Sequence, residues 1–187
     1  MTHIGTRIIK TQRLLLRRFE VSDADAMFRN WANDPEVTKY LSWPPHGSVD
    51  VTTSLLEDWV ASYGRDDFYQ WAIVPDTFGE PVGGISVIMR NDETNMVHIG
   101  YCIGRRWWKQ GITSEAFAAV IEYFFGAGVN RIESRHDPRN PNSGKVMLKC
   151  GLKYEGTMRQ ADKNNQGICD AAYYGLTADD YFNRGGA

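Results

Sequence analysis

The stretch Ile99-Gly-Tyr-Cys-Ile-Gly-Arg-Arg-Trp-Trp-Lys-Gln-Gly-Ile-Thr-Ser-Glu-Ala116 is the most informative part of the sequence. It begins with a strand pattern, passes through a basic loop and opens a helix predicted over residues 113–125. The first backbone N–H groups of a helix have no partner within it and lie at the positive end of its dipole. Such a helix start binds phosphate groups with little help from side chains. Gly111 lets the backbone approach an anion closely, so the stretch predicts an anion site.

An ordinary strand–loop–helix junction, with its basic residues in solvent, is the alternative interpretation of this stretch. In the first interpretation the loop's basic residues add positive charge to the anion site; they are Arg105, Arg106 and Lys109. Two known phosphate-binding devices are absent from the sequence. It contains neither the GxxxxGK[ST] pattern of a P-loop nor the GxGxxG fingerprint of dinucleotide-binding proteins.

Length and composition indicate one ordinary soluble domain over residues 1–187. The formal net charge of −2 gives no electrostatic reason to expect a nucleic acid or an anionic membrane as partner. Three cysteines without a CxxC spacing make a disulfide framework and a zinc site poor expectations, so we predict no metal. The sequence shows no signal-peptide pattern and no apolar run of membrane-spanning length, and we expect a cytoplasmic protein with a frayed tail at 184–187.

Hydrophobic periodicity predicts an α+β domain with seven strands and four helices. The order of the elements places one crossover in the second half of the chain. The predicted strands cover residues 13–19, 68–74, 82–89, 96–103, 131–136, 152–159 and 170–176. The predicted helices cover residues 22–31, 50–63, 113–125 and 140–150.

Three motifs in this order resemble those of a known family. Gly100-Tyr-Cys-Ile103 followed by Trp108-Lys-Gln-Gly-Ile-Thr-Ser-Glu-Ala116 resembles the acetyl-CoA motif of the GNAT N-acetyltransferases, closest to the RimJ/RimL-like branch. Thr11-Gln-Arg-Leu-Leu-Leu-Arg-Arg-Phe19 and the segment from Asn140 to Gly156 are similar to the same branch. The resemblance extends over residues 11–178. It implies a GNAT-type fold, with a mostly antiparallel mixed sheet of about seven strands, about four flanking helices and a splayed central strand pair.

The resemblance also implies a site for acetyl-CoA as co-substrate. Backbone amides of the loop and helix start would hold the pyrophosphate; they belong to Lys109, Gln110, Gly111, Thr113 and Ser114. Backbone groups near Cys102 and Ile103 would bind the pantetheine arm. The chain departs mildly from the family pattern [QR]xxGx[GA], because Trp108 stands at the first place and Thr113 at the last.

Two residues of the Asn140–Gly156 segment match further ligand positions of the branch. Asn140 would contact the pantetheine arm, although Asn140 before Pro141 is also a good helix N-cap pair. Ser143 would hydrogen-bond the CoA sulfur, with a solvated helix serine as the alternative. The tyrosine that protonates the thiolate elsewhere in the superfamily is replaced by Met147, which donates no proton.

Asp162 matches an acidic residue proposed as the base in this branch, and an exposed hairpin carboxylate is the alternative. His98 and His136 are further candidates, although a lone histidine in a strand is more often structural. The cysteines have no histidine beside them in sequence, so we expect direct attack by the amine in a ternary complex rather than an acyl-enzyme.

The sequence predicts an acetyl-CoA-dependent N-acetyltransferase that acts on a primary amine, either a protein N-terminal α-amine or a small molecule. A non-catalytic acyl-CoA-binding or sensing module on the same fold is the alternative, and a plain interaction domain with surface tryptophans is a third class. The segment 40–50 and the loop 162–170 are expected to shape the acceptor pocket. The acceptor, the acyl-chain preference and the formation of a homodimer, which is frequent in this branch, stay open.

Overall fold

One mixed sheet of eight strands runs through the centre of the computed structural model, which describes residues 1–183. The expectation of a frayed tail at 184–187 lies outside the described residues. The strands are β1 Ile9–Lys10, β2 Leu14–Arg17, β3 Gln70–Pro75, β4 Gly83–Asn91, β5 Met96–Ile103, β6 Arg131–His136, β7 Lys153–Asn164 and β8 Gly167–Thr177. Their order is β1-β2-β3-β4-β5-β6-β8-β7, and β5–β6 is the parallel pair among them.

The predicted strands all form, and β5 and β6 have the predicted bounds. The short strand β1 was not predicted, because two residues show no periodicity. The expectation of a loop at 162–170 is wrong: β7 continues to Asn164 and β8 begins at Gly167. Between Met158 and Asp162, β7 carries a bulge in which Gln160 has φ +52°. Extra residues of this kind interrupt the alternation by which a strand is recognised in sequence.

The helices are α1 Ala24–Met27, α2 Pro35–Thr38, α3 Val49–Ser62, α4 Ile112–Gly126, α5 Pro141–Lys149 and α6 Ala178–Phe182. The predicted helix over 22–31 exists as three joined pieces, with a 3₁₀ turn before α1 and a π-helical segment after it, Phe28–Ala32. Asp34-Pro35 ends this helical region as predicted and also begins α2. The Asp34 side chain accepts a hydrogen bond from the Glu36 N–H, and Pro35 occupies the first helical position.

Helices cover both faces of the sheet. α4 and α5 pack on one face, where the apolar stripe of α4 is almost fully buried; its residues are Phe117, Val120, Ile121 and Phe124. α1 and α3 pack on the other face around Phe19, Trp31 and Leu56. Since side chains alternate along a strand, neighbouring residues of β5 point to different helix layers.

The central strands β5 and β6 separate along their length. Met96, Val97 and His98 pair with residues of β6, whereas the rest of β5 pairs with β4 alone. At the point of separation the buried Ser134 hydroxyl donates to the Ile99 carbonyl at 2.7 Å. The expected splayed strand pair is thereby confirmed, and it leaves one backbone edge of residues 100–103 without a neighbouring strand.

No helix within residues 1–183 combines the length and apolar character that a membrane crossing needs. In the same part of the chain, no group of three or more His, Cys, Asp or Glu side chains is placed to hold a metal ion.

Candidate active site

The loop before α4 presents a row of backbone N–H groups without protein partners. Within residues 1–183, the N–H groups from Lys109 to Ser114 donate to no protein acceptor, and Glu115 is the first to bond back, to the Gly111 carbonyl at 3.0 Å. Lys109 and Gly111 have φ values of +62° and +77°. Left-handed positions of this kind turn successive N–H groups toward one side and build an anion-binding concavity. Because α4 begins here, its dipole adds to the attraction for an anion.

A polar cavity of about 470 Å³ opens beside this loop. Four of the predicted CoA residues line it: Lys109, Gln110, Gly111 and Ser114. The structure therefore brings together the residues that the sequence assigned to the pyrophosphate. Thr113 does not line the cavity, but its N–H belongs to the same unpaired row.

Two further basic residues, which the sequence argument missed, lie at this cavity. A Cβ on Gly111 would lie 3.5 Å from Arg13 Nη2 and 3.9 Å from Lys149 Nζ. The Arg13 guanidinium donates to Glu115, with Nε 2.6 Å from Oε2, and to the Gln110 carbonyl at 3.2 Å. Arg13 thus fixes the loop, while Lys149 and Lys109 give the cavity its positive charge.

The expected contribution of Arg105 and Arg106 to the anion site is wrong. Arg105 Nε donates to Asp34 at 2.9 Å, and the Arg106 guanidinium lies over the Phe78 ring. Both side chains are held by partners away from the unpaired N–H groups. The Trp108 side chain ties the loop to the end of β5, because its Nε1 donates to the Ile103 carbonyl at 2.9 Å.

The first turn of α5 lies against the free edge of β5. Tyr101 Oη donates to the Ser143 carbonyl at 2.9 Å, which ties the two elements together. Burial raises the pKa of Tyr101 far above its ordinary value, so this hydroxyl keeps its proton. Tyr101 also hydrogen-bonds the side chain of the half-buried Ser143, and the half-buried Asn140 stands at the N-cap position without capping through its side chain. The Asn140 amide is therefore not used by the helix cap.

Asp137 organises the connection from β6 to α5, and no sequence signal pointed to it. Its buried carboxylate accepts from Arg139, with Nη2–Oδ2 at 2.6 Å, and from Asn164 Nδ2 at 2.8 Å. The hydrogen bonds from Arg139 hold the pKa of Asp137 far below its ordinary value. Its carbonyl accepts from the Asn140 N–H at 2.7 Å, which fixes where α5 begins.

Asp162 pairs with Arg135 rather than standing alone at a hairpin tip. Arg135 Nε donates to Asp162 Oδ2 at 2.6 Å, and the Lys163 N–H donates to Oδ1 at 2.9 Å. Burial raises the pKa of Asp162, but these hydrogen bonds outweigh it and the net pKa lies below the ordinary value. The Asp162 carboxylate is consequently a weak base at neutral pH, and its role in catalysis stays a prediction.

The two candidate histidines are buried or half-buried in the sheet. His98 Nδ1 lies 3.0 Å from Glu133 Oε1, where β5 and β6 still pair. His136 Nδ1 lies 2.8 Å from the Asp137 carbonyl. A Cβ on Gly144 would lie 2.6 Å from His136 Nε2, so glycine at this position lets α5 pack directly on the imidazole. These contacts favour structural roles for both rings.

The cysteines lack the surroundings of a nucleophile. Burial raises the pKa of Cys102 to about 11 and that of Cys169 above its ordinary value. A nucleophilic cysteine needs a lowered pKa, so these thiols favour direct transfer over an acyl-enzyme.

A second cavity, which we call the aromatic cavity, lies on the α1/α3 side of the sheet and has a volume of about 610 Å³. Its lining residues are Phe19, Met27, Trp31, Leu41, Trp43, Pro44, Pro45, His46, Gly47, Val51, Leu55, Trp59, Gln70, Gly84, Ser86, Gly100, Tyr101 and Cys102. The splayed part of β5 thus borders this cavity on one face and α5 on the other. The predicted pocket segment 40–50 supplies one wall. The 162–170 segment instead supports that wall, since Asn165 Nδ2 donates to the Trp43 carbonyl at 2.7 Å.

Comparison with known proteins agrees with this geometry. The profile of the family described as Acetyltransferase (GNAT) domain matches residues 13–153. The chain belongs to the GNAT acetyltransferase family. It is 30% identical over 172 residues to the N-acetyltransferase p20 of Bacillus licheniformis, covering 91% of this chain and 96% of that protein. It is 32% identical over 143 residues to a ribosomal-protein-serine acetyltransferase of Escherichia coli, covering 74% of this chain and 78% of that protein.

A solved structure supports the GNAT fold independently. RimL, titled a ribosomal L7/L12 α-N-protein acetyltransferase in complex with coenzyme A, superimposes with a TM-score of 0.82 at 22% identity. The match covers 93% of this chain and 99% of that one. The family and its RimJ/RimL-like relatives confirm the resemblance drawn from the three motifs, and they make this GNAT protein an acyltransferase.

Gly111 has a left-handed backbone conformation (φ +77°) that favours glycine, and its replacement by alanine tests the anion site. We expect Gly111→Ala to weaken coenzyme A binding about tenfold or more, because a left-handed L residue is strained by ~1–3 kcal/mol and the loop shifts to relieve it. Isothermal titration calorimetry measures the affinity.

Gly128→Ala is the matched control, since Gly128 has φ +81°, has open space around its Cα and lies just after the other end of α4. Both variants should lose similar thermal stability, but Gly128→Ala should bind coenzyme A like the parent. An equal loss of affinity in the two variants contradicts the assignment.

Proposed function

We propose that this GNAT protein transfers an acetyl group from acetyl-CoA to a primary amine in a ternary complex. The observation that carries the proposal is the row of unpaired N–H groups from Lys109 to Ser114 beside a positively charged cavity. A diphosphate fits such a row, because each N–H gains an acceptor and the helix dipole favours negative charge. The residues Cys102, Ile103, Asn140 and Ser143 extend the site along the splayed strand toward the aromatic cavity.

The splayed strand places the reacting groups between the two helix layers. The free backbone edge near Cys102 and Ile103 would hydrogen-bond the pantetheine arm. A backbone N–H of the same strand would donate to the acetyl oxygen as negative charge develops there. The amine nitrogen attacks the carbonyl carbon, a C–N bond forms and the C–S bond breaks. The proton that the nitrogen loses is balanced by the one that the departing sulfur gains, so the products are an amide and a free thiol.

Ser143 would stabilise the departing sulfur. Tyr101 hydrogen-bonds both the carbonyl and the side chain of Ser143, which holds this turn against β5. Met147 lies in the core, with 1% exposure, and cannot take the role that a tyrosine has elsewhere in the superfamily. The hydroxyl of Ser143 would donate to the thiolate as the C–S bond breaks.

Deprotonation of the amine needs little help from Asp162. At pH 7 the neutral form of an α-amine lies ~1.4 kcal/mol above its charged form, and that of a lysine amine ~4.6 kcal/mol. With Arg135 on its carboxylate, Asp162 would orient the amine or a water molecule rather than act as a strong base. Proximity of the bound reactants supplies much of the remaining acceleration.

The relatives support an amine acceptor. The Escherichia coli protein is named for acetylation of a ribosomal protein and the RimL structure for an α-N-protein acetyltransferase. A non-catalytic sensing module would not need a hydroxyl at Ser143, and a plain interaction domain would not need the unpaired N–H row. We also expect the reaction to occur in the cytoplasm, where cysteine thiols stay reduced.

The proposed activity is tested by release of free thiol from acetyl-CoA in the presence of primary amines, with the acetylated amine identified by mass spectrometry. The wild-type protein should form thiol and N-acetyl product in equal amounts. Ser143→Ala should lower kcat about 100-fold with little change in coenzyme A affinity, because it removes proton donation to the leaving sulfur.

Ser54→Ala, an exposed serine on α3, is the control and should keep the wild-type kcat. Coenzyme A binding without thiol release for any amine would favour the sensing module. An unchanged kcat in Ser143→Ala would remove this residue from the reaction.

The pH profile of kcat/KM distinguishes an orienting carboxylate from a general base. Because the pKa of Asp162 lies below its ordinary value of ~3.9, the carboxylate is ionised throughout pH 5–9. We expect kcat/KM to rise with pH as the amine deprotonates, without an ionisation from Asp162. Asp162→Asn should lower kcat/KM about tenfold at every pH and leave the shape of the profile unchanged.

Asp179→Asn, an exposed acid in α6, controls for the loss of one negative charge. An ionisation between pH 5 and 8 that vanishes in Asp162→Asn alone would show instead that Asp162 is the base.

A further inference from the structure

Among residues 1–183, no charged side chain lines the aromatic cavity. Its 18 lining residues include no Asp, Glu, Lys or Arg. His46 is the one titratable imidazole in the lining, and burial lowers its pKa, so it is neutral at pH 7. Its Nδ1 lies 2.7 Å from Thr52 Oγ1, which fixes the ring. A ligand in this cavity is therefore surrounded by neutral groups, which disfavours a charged group on the ligand.

Large apolar side chains form most of the cavity wall. Three tryptophans contribute to it, Trp31 from the helical region after α1, Trp43 from the loop and Trp59 from α3. Trp59 packs on Phe19 with ring centroids 5.1 Å apart, and Trp43 packs on His46 at 5.2 Å. Aromatic walls of this size favour a flat or branched apolar group.

The polar side chains at the sheet side of the cavity are few. Gln70 and Ser86 line it there, next to Gly100 and Cys102 of the splayed strand. They provide hydrogen-bonding capacity for about one nitrogen atom at the edge where the thioester would lie. The rest of the ligand would contact carbon.

We propose that the acceptor is a monoamine whose amino group is carried on an aromatic or branched aliphatic group, and that this group fills the aromatic cavity. This inference rests on the proposed function, because it assigns the substrate class of the same site. A small arylalkylamine and a peptide with an apolar N-terminal residue share this chemistry. Polyamines and amino sugars would bring second positive charges into a cavity without a carboxylate, which is unfavourable.

The neutral cavity also helps the amine to lose its proton. Transfer of an ammonium group from water into apolar surroundings disfavours the charged form. The amine would therefore arrive largely deprotonated, which agrees with a site where Asp162 is already paired with Arg135.

The first test compares acceptors in the thiol-release assay. We expect kcat/KM for 2-phenylethylamine to exceed that for ethylamine and for 1,4-diaminobutane about 100-fold. Each apolar carbon group that fits the pocket raises the preference for that amine over one that lacks the group. Peptides beginning with Phe or with Ser separate the two sources of the amine. Preference for the Phe peptide over 2-phenylethylamine identifies a polypeptide substrate, and the reverse identifies a small molecule, both with the predicted chemistry. A higher kcat/KM for the diamine or the Ser peptide overturns the inference.

The second test introduces a carboxylate at the cavity mouth. Val51 lines the cavity on α3 and is 50% exposed, so Val51→Glu should fold normally. We expect this variant to lose about tenfold in kcat/KM for 2-phenylethylamine and to gain about tenfold for 1,4-diaminobutane. Val60→Glu is the matched control, because Val60 is 40% exposed on the same helix and does not line the cavity. Equal behaviour of the two variants overturns the assignment of the cavity.

Direct binding separates this inference from the proposed function. Calorimetry with 2-phenylethylamine and with 1,4-diaminobutane on the coenzyme A-saturated protein reports the ligand class without turnover. Binding of the aromatic amine alone, with no thiol release from acetyl-CoA, supports the cavity's ligand class and contradicts acetyl transfer. Thiol release with the diamine as the better ligand supports acetyl transfer and overturns the inference. Absence of binding by 2-phenylethylamine also overturns it.

Discussion

The unpaired N–H groups at the start of α4 are the feature on which the rest of the site depends. A peptide N–H without a partner is tolerated in a folded protein when water or a ligand can reach it. Here six consecutive groups, from Lys109 to Ser114, have no protein acceptor among the described residues. Three contacts fix the loop in this conformation. Gly111 adopts a left-handed backbone, Arg13 donates to the Gln110 carbonyl, and the Trp108 side chain donates to the Ile103 carbonyl. A diphosphate is the ligand that satisfies most of these groups at once.

In the proposed function, the separation of β5 from β6 connects the anion site with the place of reaction. A continuous sheet would seal one helix layer from the other. Because pairing stops at His98, the remaining part of β5 faces α5 on one side and the aromatic cavity on the other. Ser134 satisfies the Ile99 carbonyl, and Tyr101 holds α5 against the open edge. A thioester can thereby lie on the α5 side while an amine approaches from the cavity.

Much of this arrangement could be predicted from the sequence, because the decisive groups belong to the backbone. Strand β5, the loop and α4 follow from periodicity and from Gly111, and four of the five residues assigned to the pyrophosphate line one cavity. Side-chain partners were harder to predict. The sequence placed Arg105 and Arg106 at the anion, whereas Asp34 and Phe78 hold them elsewhere. Arg13, Lys149, Asp137 and Asn165 act through neighbours that are distant in sequence, and no local pattern reveals such pairs. The bulge in β7 similarly concealed the extent of the hairpin that carries Asp162.

Amide hydrogen exchange, measured residue by residue by NMR with and without coenzyme A, tests the central claim most directly. The account predicts that the amides of residues 109–114 shift in frequency and exchange more slowly when coenzyme A is bound, since each then donates to the diphosphate or lies beneath it. Amides of α6, which packs beside Phe125 at the far end of α4, should change little. If coenzyme A binds while the amides of residues 109–114 keep their frequencies and exchange rates, the diphosphate is held elsewhere and the account is contradicted.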